Sequence, residues 1–216
     1  MTAAADRPTV VLDLGGVLVD WDPRYLYDQL LPEHEVDAFL DEVGFAAWNR
    51  EQDAGASWAD AVRSHGERYP HRRELLAAYP ARFPETLGGE VPGSVALLHE
   101  LHDAQVRLLA LTNWSAETFP HARARFDWLD LFEDVVVSGA EGMAKPDPAI
   151  FQLLLDRHGL SAATTVFVDD SPANVHAAAD LGLTALLFRT AEDLRDDLVR
   201  LGVLGPAPAE DGRPRP

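Results

Sequence analysis

The side chains of this sequence that are suited to chemistry stand where apolar runs end. They are Asp13, Thr112, Asn113, Asp169 and Asp170. A short run rich in Val and Leu, such as 9–12, is typical of a strand buried on both faces. The glycine pair that soon follows Asp13 indicates a turn in which the backbone approaches a ligand closely. The carboxyl ends of parallel strands share one edge of a sheet, where ligands bind, so we expect these groups to line one crevice.

Lys145 is a further candidate, because it precedes a helix that opens at proline and its ammonium can reach the same crevice. Taken singly, these residues also have ordinary structural interpretations, as turn residues, a solvated cation or a helix cap. Their combination is a hydroxyl, an ammonium and three carboxylates at one sheet edge. That combination favours a catalytic or binding site over coincidence.

The elements that must position these groups alternate along the second half of the chain. Strands are predicted over 106–111, 134–138, 164–168 and 184–188. Helices are predicted over 94–102, capped by Ser94, over 117–126, from the 144–148 motif to 157, and over 174–181. Strands that alternate with helices predict an α/β fold with a parallel sheet and helices on both faces.

The block between the first strand and residue 90 has a different character. Apolar residues recur at helical spacing over 25–31, 33–43, 58–69 and 73–83, with Ser57 as an N-cap. No strand pattern is evident there, and 87–93 is interpreted as a loop. We predict a small helical unit inserted after the first strand. Of its tryptophans, Trp21, Trp48 and Trp58, most are expected in the core, with one lining a substrate pocket.

Composition limits the classes of function. The chain has 216 residues with 47% hydrophobic and 25% charged side chains, as in a soluble globular protein. Its formal charge of −18 opposes nucleic-acid binding, and an anionic substrate would need a local positive site. There is no cysteine, so a thiolate metal site is excluded. With neither a signal-peptide pattern nor a membrane-spanning run, we expect a cytoplasmic protein without a membrane partner.

Four ordered segments resemble the motifs of the haloacid dehalogenase-like hydrolase superfamily. They are Asp13-Leu14-Gly15-Gly16-Val17, Thr112-Asn113, Lys145-Pro146 and Val166-Phe167-Val168-Asp169-Asp170. The resemblance covers about 9–190 and implies a Rossmann-like core with a mobile α-helical cap. The expected core is 1–19 with 92–204, and the expected cap is 20–91. The Pro- and Gly-rich stretch 205–216 is predicted to be a disordered tail.

The resemblance implies a phosphatase acting on small phosphomonoesters of the sugar phosphate or nucleotide type. Asp13 would be the nucleophile that forms an aspartyl-phosphate. Mg²⁺ would be the cofactor, with carboxylates as its hard oxygen ligands. The expected metal ligands are Asp13, the Gly15 carbonyl, Asp170 directly, and Asp169 directly or through water. The expected phosphate-binding groups are Thr112, Asn113, Lys145 and the N–H groups of Leu14 and Gly15. Asn174 is expected to orient the acidic loop.

One position departs from the superfamily pattern. Many of its phosphatases carry a second Asp two residues after the nucleophile as general acid and base, and here that residue is Gly15. We therefore expect either a preference for leaving groups that depart readily or a general acid supplied by another residue. Asp20 and Asp22 are the nearest candidates for that acid, although capping or solvent exposure also accounts for them. Candidates for contact with the leaving group are Asn49, Arg50 and Asp53.

Other functions stay open at this point. A 2-haloacid dehalogenase resembles the same core and needs no metal, so the pair Asp169-Asp170 would be surplus negative charge beside its nucleophile. A phosphomutase depends on the missing acid and base. A non-catalytic binding protein has no need for all of the motif residues. The identity of the substrate and the oligomeric state are not predicted.

Overall fold

The computed structural model describes residues 9–206, and this stretch contains seven β-strands. They are β1 (Thr9–Leu12), β2 (Val19–Trp21), β3 (Leu87–Glu90), β4 (Arg107–Thr112), β5 (Asp134–Val137), β6 (Thr165–Asp169) and β7 (Thr184–Leu187). Five of them form a parallel sheet in the order β5-β4-β1-β6-β7, so β1 is central. In the register, Leu12 pairs with Ala110 of β4 and with Val168 of β6. The ends of these three strands therefore meet at one edge, as predicted.

Eleven α-helices lie in the same described stretch. They are α1 (Arg24–Tyr27), α2 (Glu33–Val43), α3 (Phe45–Asp53), α4 (Trp58–Arg68), α5 (Arg73–Ala81), α6 (Ser94–Asp103), α7 (Phe119–Arg125), α8 (Ser138–Glu141), α9 (Pro148–His158), α10 (Pro172–Asp180) and α11 (Ala191–Arg200). The predicted α/β fold with a parallel sheet is confirmed. Helices α3, α8 and α11 were not predicted, although Thr190 caps α11 by accepting a hydrogen bond from the Asp193 N–H.

The alternation of side chains along β1 divides the core into two layers. Val10 and Leu12 belong to a hydrophobic cluster that also contains Leu98 of α6 and Leu198 of α11. Val11 points the other way, into a second cluster that contains Phe151 of α9. Helices therefore cover both faces of the sheet, and each fully buried large side chain contributes about 1.5–3 kcal/mol.

The helical block is tied to the core by a two-stranded ribbon. β2 and β3 pair antiparallel, with Val19 opposite Glu90 and Asp20 opposite Gly89. The prediction that this block lacks strands and that 87–93 is a loop is wrong. The segment Leu87–Glu90 contains two glycines and no alternating pattern, so its strand conformation comes from pairing with a distant segment. The exact cap limits, 20 and 91, stay a prediction.

Aromatic side chains fill the interior of the helical block. Trp48 and Trp58 meet edge to face with ring centroids 5.0 Å apart, and Trp58 and Tyr79 are 5.1 Å apart. Trp48 and Trp58 are buried in the core, as predicted. Aromatic pairs of this kind contribute about 0.5–1.5 kcal/mol beyond area burial. The block is thus held by ring packing.

Local signals at the helix ends are partly confirmed. The Ser57 hydroxyl accepts a hydrogen bond from the Asp60 N–H at 3.5 Å, as expected of an N-cap. Ser94 is instead the first residue of α6, and the cap is Gly93, whose φ of +77° favours glycine. The predicted helix over 25–31 ends as helix α1 at Tyr27.

No helix within 9–206 is long and apolar enough to cross a membrane. The predicted disordered tail lies almost entirely outside the described residues, as do residues 1–8.

Candidate active site

Two neighbouring strand ends bring the three predicted carboxylates together. Asp13 follows β1, Asp169 ends β6 and Asp170 comes next. One carboxylate oxygen from each of the three lies within 4.8 Å of the others. The sequence-based expectation that these groups share one crevice is confirmed. Three carboxylates this close repel one another strongly, so each ionised form needs a compensating cation or hydrogen-bond donor.

Lys145, in the loop between α8 and α9, supplies part of that compensation. Its side chain is fully buried, and Nζ lies 3.0 Å from Asp13 Oδ1 and 2.7 Å from Asp169 Oδ2. Nζ also donates to the Leu111 carbonyl at 2.6 Å. These three acceptors match the three donors of an ammonium group. A phosphate contact from Lys145, as predicted, would share one of these donors.

Asn113 positions Lys145 through a pair of main-chain hydrogen bonds. Its Nδ2 donates to the Lys145 carbonyl at 2.8 Å, and its Oδ1 accepts from the Lys145 N–H at 2.9 Å. Both ends of the amide are therefore engaged with the loop that carries the lysine. The predicted phosphate contact of Asn113 would have to come from its backbone.

The two oxygens of Asp13 have different environments. Oδ1 faces Lys145 and also accepts from the Leu14 N–H at 2.7 Å. Oδ2 has no hydrogen-bond donor among residues 9–206. Burial raises the pKa of Asp13, Lys145 opposes that shift, and Asp169 adds to it. The arrangement holds one oxygen in place and leaves the other available. The Leu14 N–H, predicted to bind phosphate, is directed at Asp13.

Asp169 is surrounded by donors. It accepts from the Ser171 N–H at 2.8 Å, and Asn174 Nδ2 reaches both of its oxygens, at 3.0 and 3.1 Å. Lys145 completes the set. The expectation that Asn174 orients the acidic loop is confirmed. Asp169 is thus better suited to holding Lys145 and the loop than to direct metal ligation.

Asp170 is the more exposed member of the acidic pair. Its pKa is raised by burial and by the charge of Asp169. No other side chain in the described part of the chain forms a hydrogen bond or an ion pair with its carboxylate, although its own main-chain N–H donates to it. It is therefore the carboxylate best placed to take a metal ion directly.

Thr112 adds an unused donor to the site. It ends β4 and is completely buried, yet its hydroxyl has no hydrogen-bond partner within the described chain. A buried hydroxyl without a partner carries a desolvation penalty of about 1–3 kcal/mol. Such a group points to a ligand that supplies an acceptor.

The two glycines of the turn differ in what they permit. Gly16 has φ +72°, and a Cβ there would lie 2.7 Å from Cγ of Asp170. Glycine is therefore required for Asp170 to approach the turn. Gly15 has no such φ, and nothing lies within 4 Å of a Cβ built on it. A side chain at position 15 can thus be accommodated.

A cavity of about 70 Å³ opens beside the turn. It is lined by Gly15, Trp21, Asn49, Asp53, Tyr79, Phe83, Asn113, Trp114 and Thr118. Four of these side chains are aromatic. The expectation that one of the tryptophans near the helical block lines a pocket holds for Trp21.

Only some of the residues predicted to contact a leaving group, or to supply its proton, line the cavity. Asn49 and Asp53 line the cavity, whereas Arg50 is exposed and does not. Asp22 accepts a hydrogen bond from the Arg24 N–H at the start of α1, and Asp20 accepts one from the Tyr25 hydroxyl. Neither of these two acids lines the cavity.

Sequence reasoning missed several of the cavity residues. Trp114 directly follows the Thr112-Asn113 motif, so its position carried a usable signal. Tyr79 and Phe83 come from the end of the helical block. Nothing in their local sequence indicates that they line the same cavity as Gly15. Their role becomes visible only in the fold.

A model of the haloacid dehalogenase-like hydrolase family matches residues 8–182. The chain belongs to this family. A sesquiterpene phosphatase, astK, from Aspergillus oryzae is 30% identical over 82% of this chain and 87% of its own length. A phosphoglycolate phosphatase from Aliivibrio fischeri is 31% identical over 82% of each chain.

Solved structures of haloacid dehalogenase-like enzymes share the fold. The magnesium complex of the family enzyme bt-2542 from Bacteroides thetaiotaomicron has a TM-score of 0.68 and 21% identity. The match covers 88% of this chain and 98% of that one. At this identity the likeness extends to the fold alone. The resemblance stated from the four sequence motifs is confirmed: the protein is a hydrolase of this family, and relatives of it are phosphatases.

Proposed function

We propose that this haloacid dehalogenase-like hydrolase is a Mg²⁺-dependent phosphatase of small phosphomonoesters that forms an aspartyl-phosphate on Asp13. The observation that carries the proposal is the cluster of three carboxylates around one buried lysine. The two phosphatase relatives support the same class of reaction.

The donor set fits a divalent cation. Asp13, Asp169 and Asp170 with Lys145 combine three carboxylates and one ammonium, a formal charge of −2. Hard carboxylate oxygens are the ligands that Mg²⁺ prefers. Asp13 and Asp170 would hold the ion directly with the Gly15 carbonyl, and Asp169 would act through water. When bound, Mg²⁺ supplies the positive charge that lets an anionic phosphate approach a carboxylate.

The nucleophile and the hydrogen-bond donors to phosphate are supplied by residues of the chain itself. Lys145 holds Asp13 by its Oδ1, which leaves Oδ2 free to attack phosphorus or to bind the metal. The unpartnered hydroxyl of Thr112 would donate to a phosphoryl oxygen. The main-chain N–H groups of Gly15 and Asn113 would add further donors. Positioned donors of this kind stabilise the charge that spreads over the transferring group.

The cavity narrows the substrate class. The family resemblance led us to expect a sugar phosphate or a nucleotide. Four aromatic side chains in the cavity, Trp21, Tyr79, Phe83 and Trp114, favour a leaving group that is itself apolar or aromatic. No Lys or Arg lines it among the described residues, so a second phosphate on the leaving group would be unpaired. We therefore place isoprenoid and aryl monophosphates ahead of sugar phosphates and nucleotides.

The test is a screen of phosphomonoesters from these four groups with Mg²⁺ and with EDTA. We expect phosphate release that EDTA abolishes and that Asp13→Asn eliminates without unfolding the protein. Activity insensitive to EDTA, or retained by Asp13→Asn, would contradict the proposal. Halide release from 2-chloropropionate in the presence of a chelator would instead indicate a dehalogenase.

A further inference from the structure

The cavity contains one carboxyl group that the roles assigned so far do not use. Asp53, the last residue of α3, is the only Asp or Glu among the described cavity residues. The other titratable group there is Tyr79, whose pKa burial raises well above its ordinary value. The Tyr79 hydroxyl already donates to Asn49 Oδ1 at 3.2 Å. Asp53 is therefore the available proton donor beside the glycine turn.

Asp53 is held in place by its neighbours. Asn49 Nδ2 donates to its Oδ2 at 2.8 Å, and the Ser138 hydroxyl donates to its main-chain carbonyl at 2.5 Å. Ser138 begins α8, which follows β5, so this bond fixes the end of α3 to the core. The position of the carboxyl group is thus set relative to the sheet edge.

The environment of Asp53 favours its neutral form. Burial raises its pKa to about 7, and only the Ser115 backbone N–H opposes the shift. No Lys, Arg or His within residues 9–206 forms an ion pair with it. A carboxyl group with a pKa near neutrality is suited to proton transfer in both directions.

The site needs such a group because position 15 is glycine. Asp20 and Asp22, the acids nearest in sequence, are engaged with Tyr25 and Arg24 outside the cavity. Gly15 and Asp53 lie on the walls of the same cavity. A leaving group in this cavity would therefore lie between the turn that carries the nucleophile and Asp53.

Building on the proposed phosphatase function, we propose that Asp53 is the general acid and base of the reaction. As the Asp13 oxygen bonds to phosphorus and the ester P–O bond breaks, the Asp53 proton passes to the leaving-group oxygen, which departs as an alcohol. The Asp53 carboxylate then takes a proton from the attacking water. The new water-derived oxygen bonds to phosphorus, the Asp13–phosphorus bond breaks, and Asp53 is again protonated.

The experiment compares leaving groups in the wild type and in Asp53→Asn. An alkyl phosphate needs a proton on its leaving oxygen, whereas 2,4-dinitrophenyl phosphate does not. We expect kcat/KM of Asp53→Asn to fall about 10²-fold or more on the alkyl ester and only a few-fold on the aryl ester. Asp41→Asn, the same change at an exposed site on α2, should change neither rate.

Two outcomes separate the inference from the function on which it rests. Equal losses on both esters, or no loss on the alkyl ester, would overturn the role of Asp53 and leave the phosphatase intact. Absence of phosphatase activity in the wild type would overturn both. Asp53→Glu provides a second measurement, because it retains a carboxyl group: it should keep more of the alkyl activity than Asp53→Asn, and the reverse order would contradict the proposal.

Discussion

Asp53 should also make the free energy of unfolding depend on pH. Its pKa rises from 3.8 to about 7 on folding, so the folded chain holds a proton that the unfolded chain has lost between these values. Stability contributed by this proton is fully present below about pH 4 and is lost as the pH rises through about 7. Asp53→Asn removes the ionisable group, so the variant should gain stability relative to the wild type as the pH rises.

The magnitude follows from the shift. A difference of one in pKa corresponds to about 1.4 kcal/mol, so the rise from 3.8 to about 7 sets an upper limit of about 4 kcal/mol. Asp53 opens on a cavity, and water there screens the charge. We therefore expect the stability difference between Asp53→Asn and the wild type to increase by about 1–2 kcal/mol between pH 5 and pH 8.

The other titratable groups around α3 do not reverse the direction of this pH dependence. Tyr79 is the titratable neighbour of Asp53 and stays protonated over the range. On α8, Glu141 is paired with Arg157 at 2.8 Å. On α4, burial lowers the pKa of His65, which rests on the ring of Trp48.

Urea unfolding at pH 5, 6.5 and 8 measures the effect, with Asp41→Asn as the matched control on α2. Asp41 is exposed, and its substitution should give the same small difference at all three pH values. A difference for Asp53→Asn that does not change with pH, or that shrinks as the pH rises, would refute the reasoning.

Four further predictions concern the sheet edge. Gly16→Ala should fold but lose Mg²⁺ binding measured by calorimetry, since its Cβ displaces Asp170; unchanged affinity would contradict this. Mg²⁺ should raise the Tm of the wild type but not of Asp170→Asn, because it binds only the folded site; equal shifts would exclude Asp170 as a ligand. Thr112→Val should raise the free energy of unfolding by about 1 kcal/mol in urea, by removing an unpartnered hydroxyl, while lowering kcat/KM; lower stability would show that the hydroxyl has a partner. Gly15→Asp should be tolerated and should restore alkyl ester cleavage to Asp53→Asn; a misfolded Gly15→Asp protein would show that the turn requires glycine.

The edge of the sheet was predictable because its signals are local. An apolar run followed by a polar residue marks each strand end, and parallel pairing brings those ends together. Asp13 and Asp169 could therefore be assigned to one site from residues 156 positions apart in the sequence. The same reasoning requires no knowledge of side-chain directions.

Side-chain partners were less predictable because they depend on long-range geometry. Asn113 follows a strand end and was assigned to phosphate, yet its amide binds the main chain of Lys145. The ribbon β2–β3 has no alternating pattern, and each strand is specified by the other. Asp53 was one of several polar candidates in the helical block, and only the fold separates it from Arg50, its exposed near neighbour.

The residues that line the cavity come from two parts of the chain, the sheet region and the segment that begins in β2 and ends before β3. Gly15, Asn113, Trp114 and Thr118 belong to the sheet region, whereas Trp21, Asn49, Asp53, Tyr79 and Phe83 lie between β2 and β3 or in β2 itself. The groups assigned to phosphate all belong to the sheet region. Replacing the helical block would therefore exchange the cavity wall proposed to recognise the leaving group together with Asp53, the proposed general acid, while the groups assigned to phosphate would stay in place. Under the proposed roles, a change in this one block would therefore alter the range of leaving groups and the pKa of the general acid together.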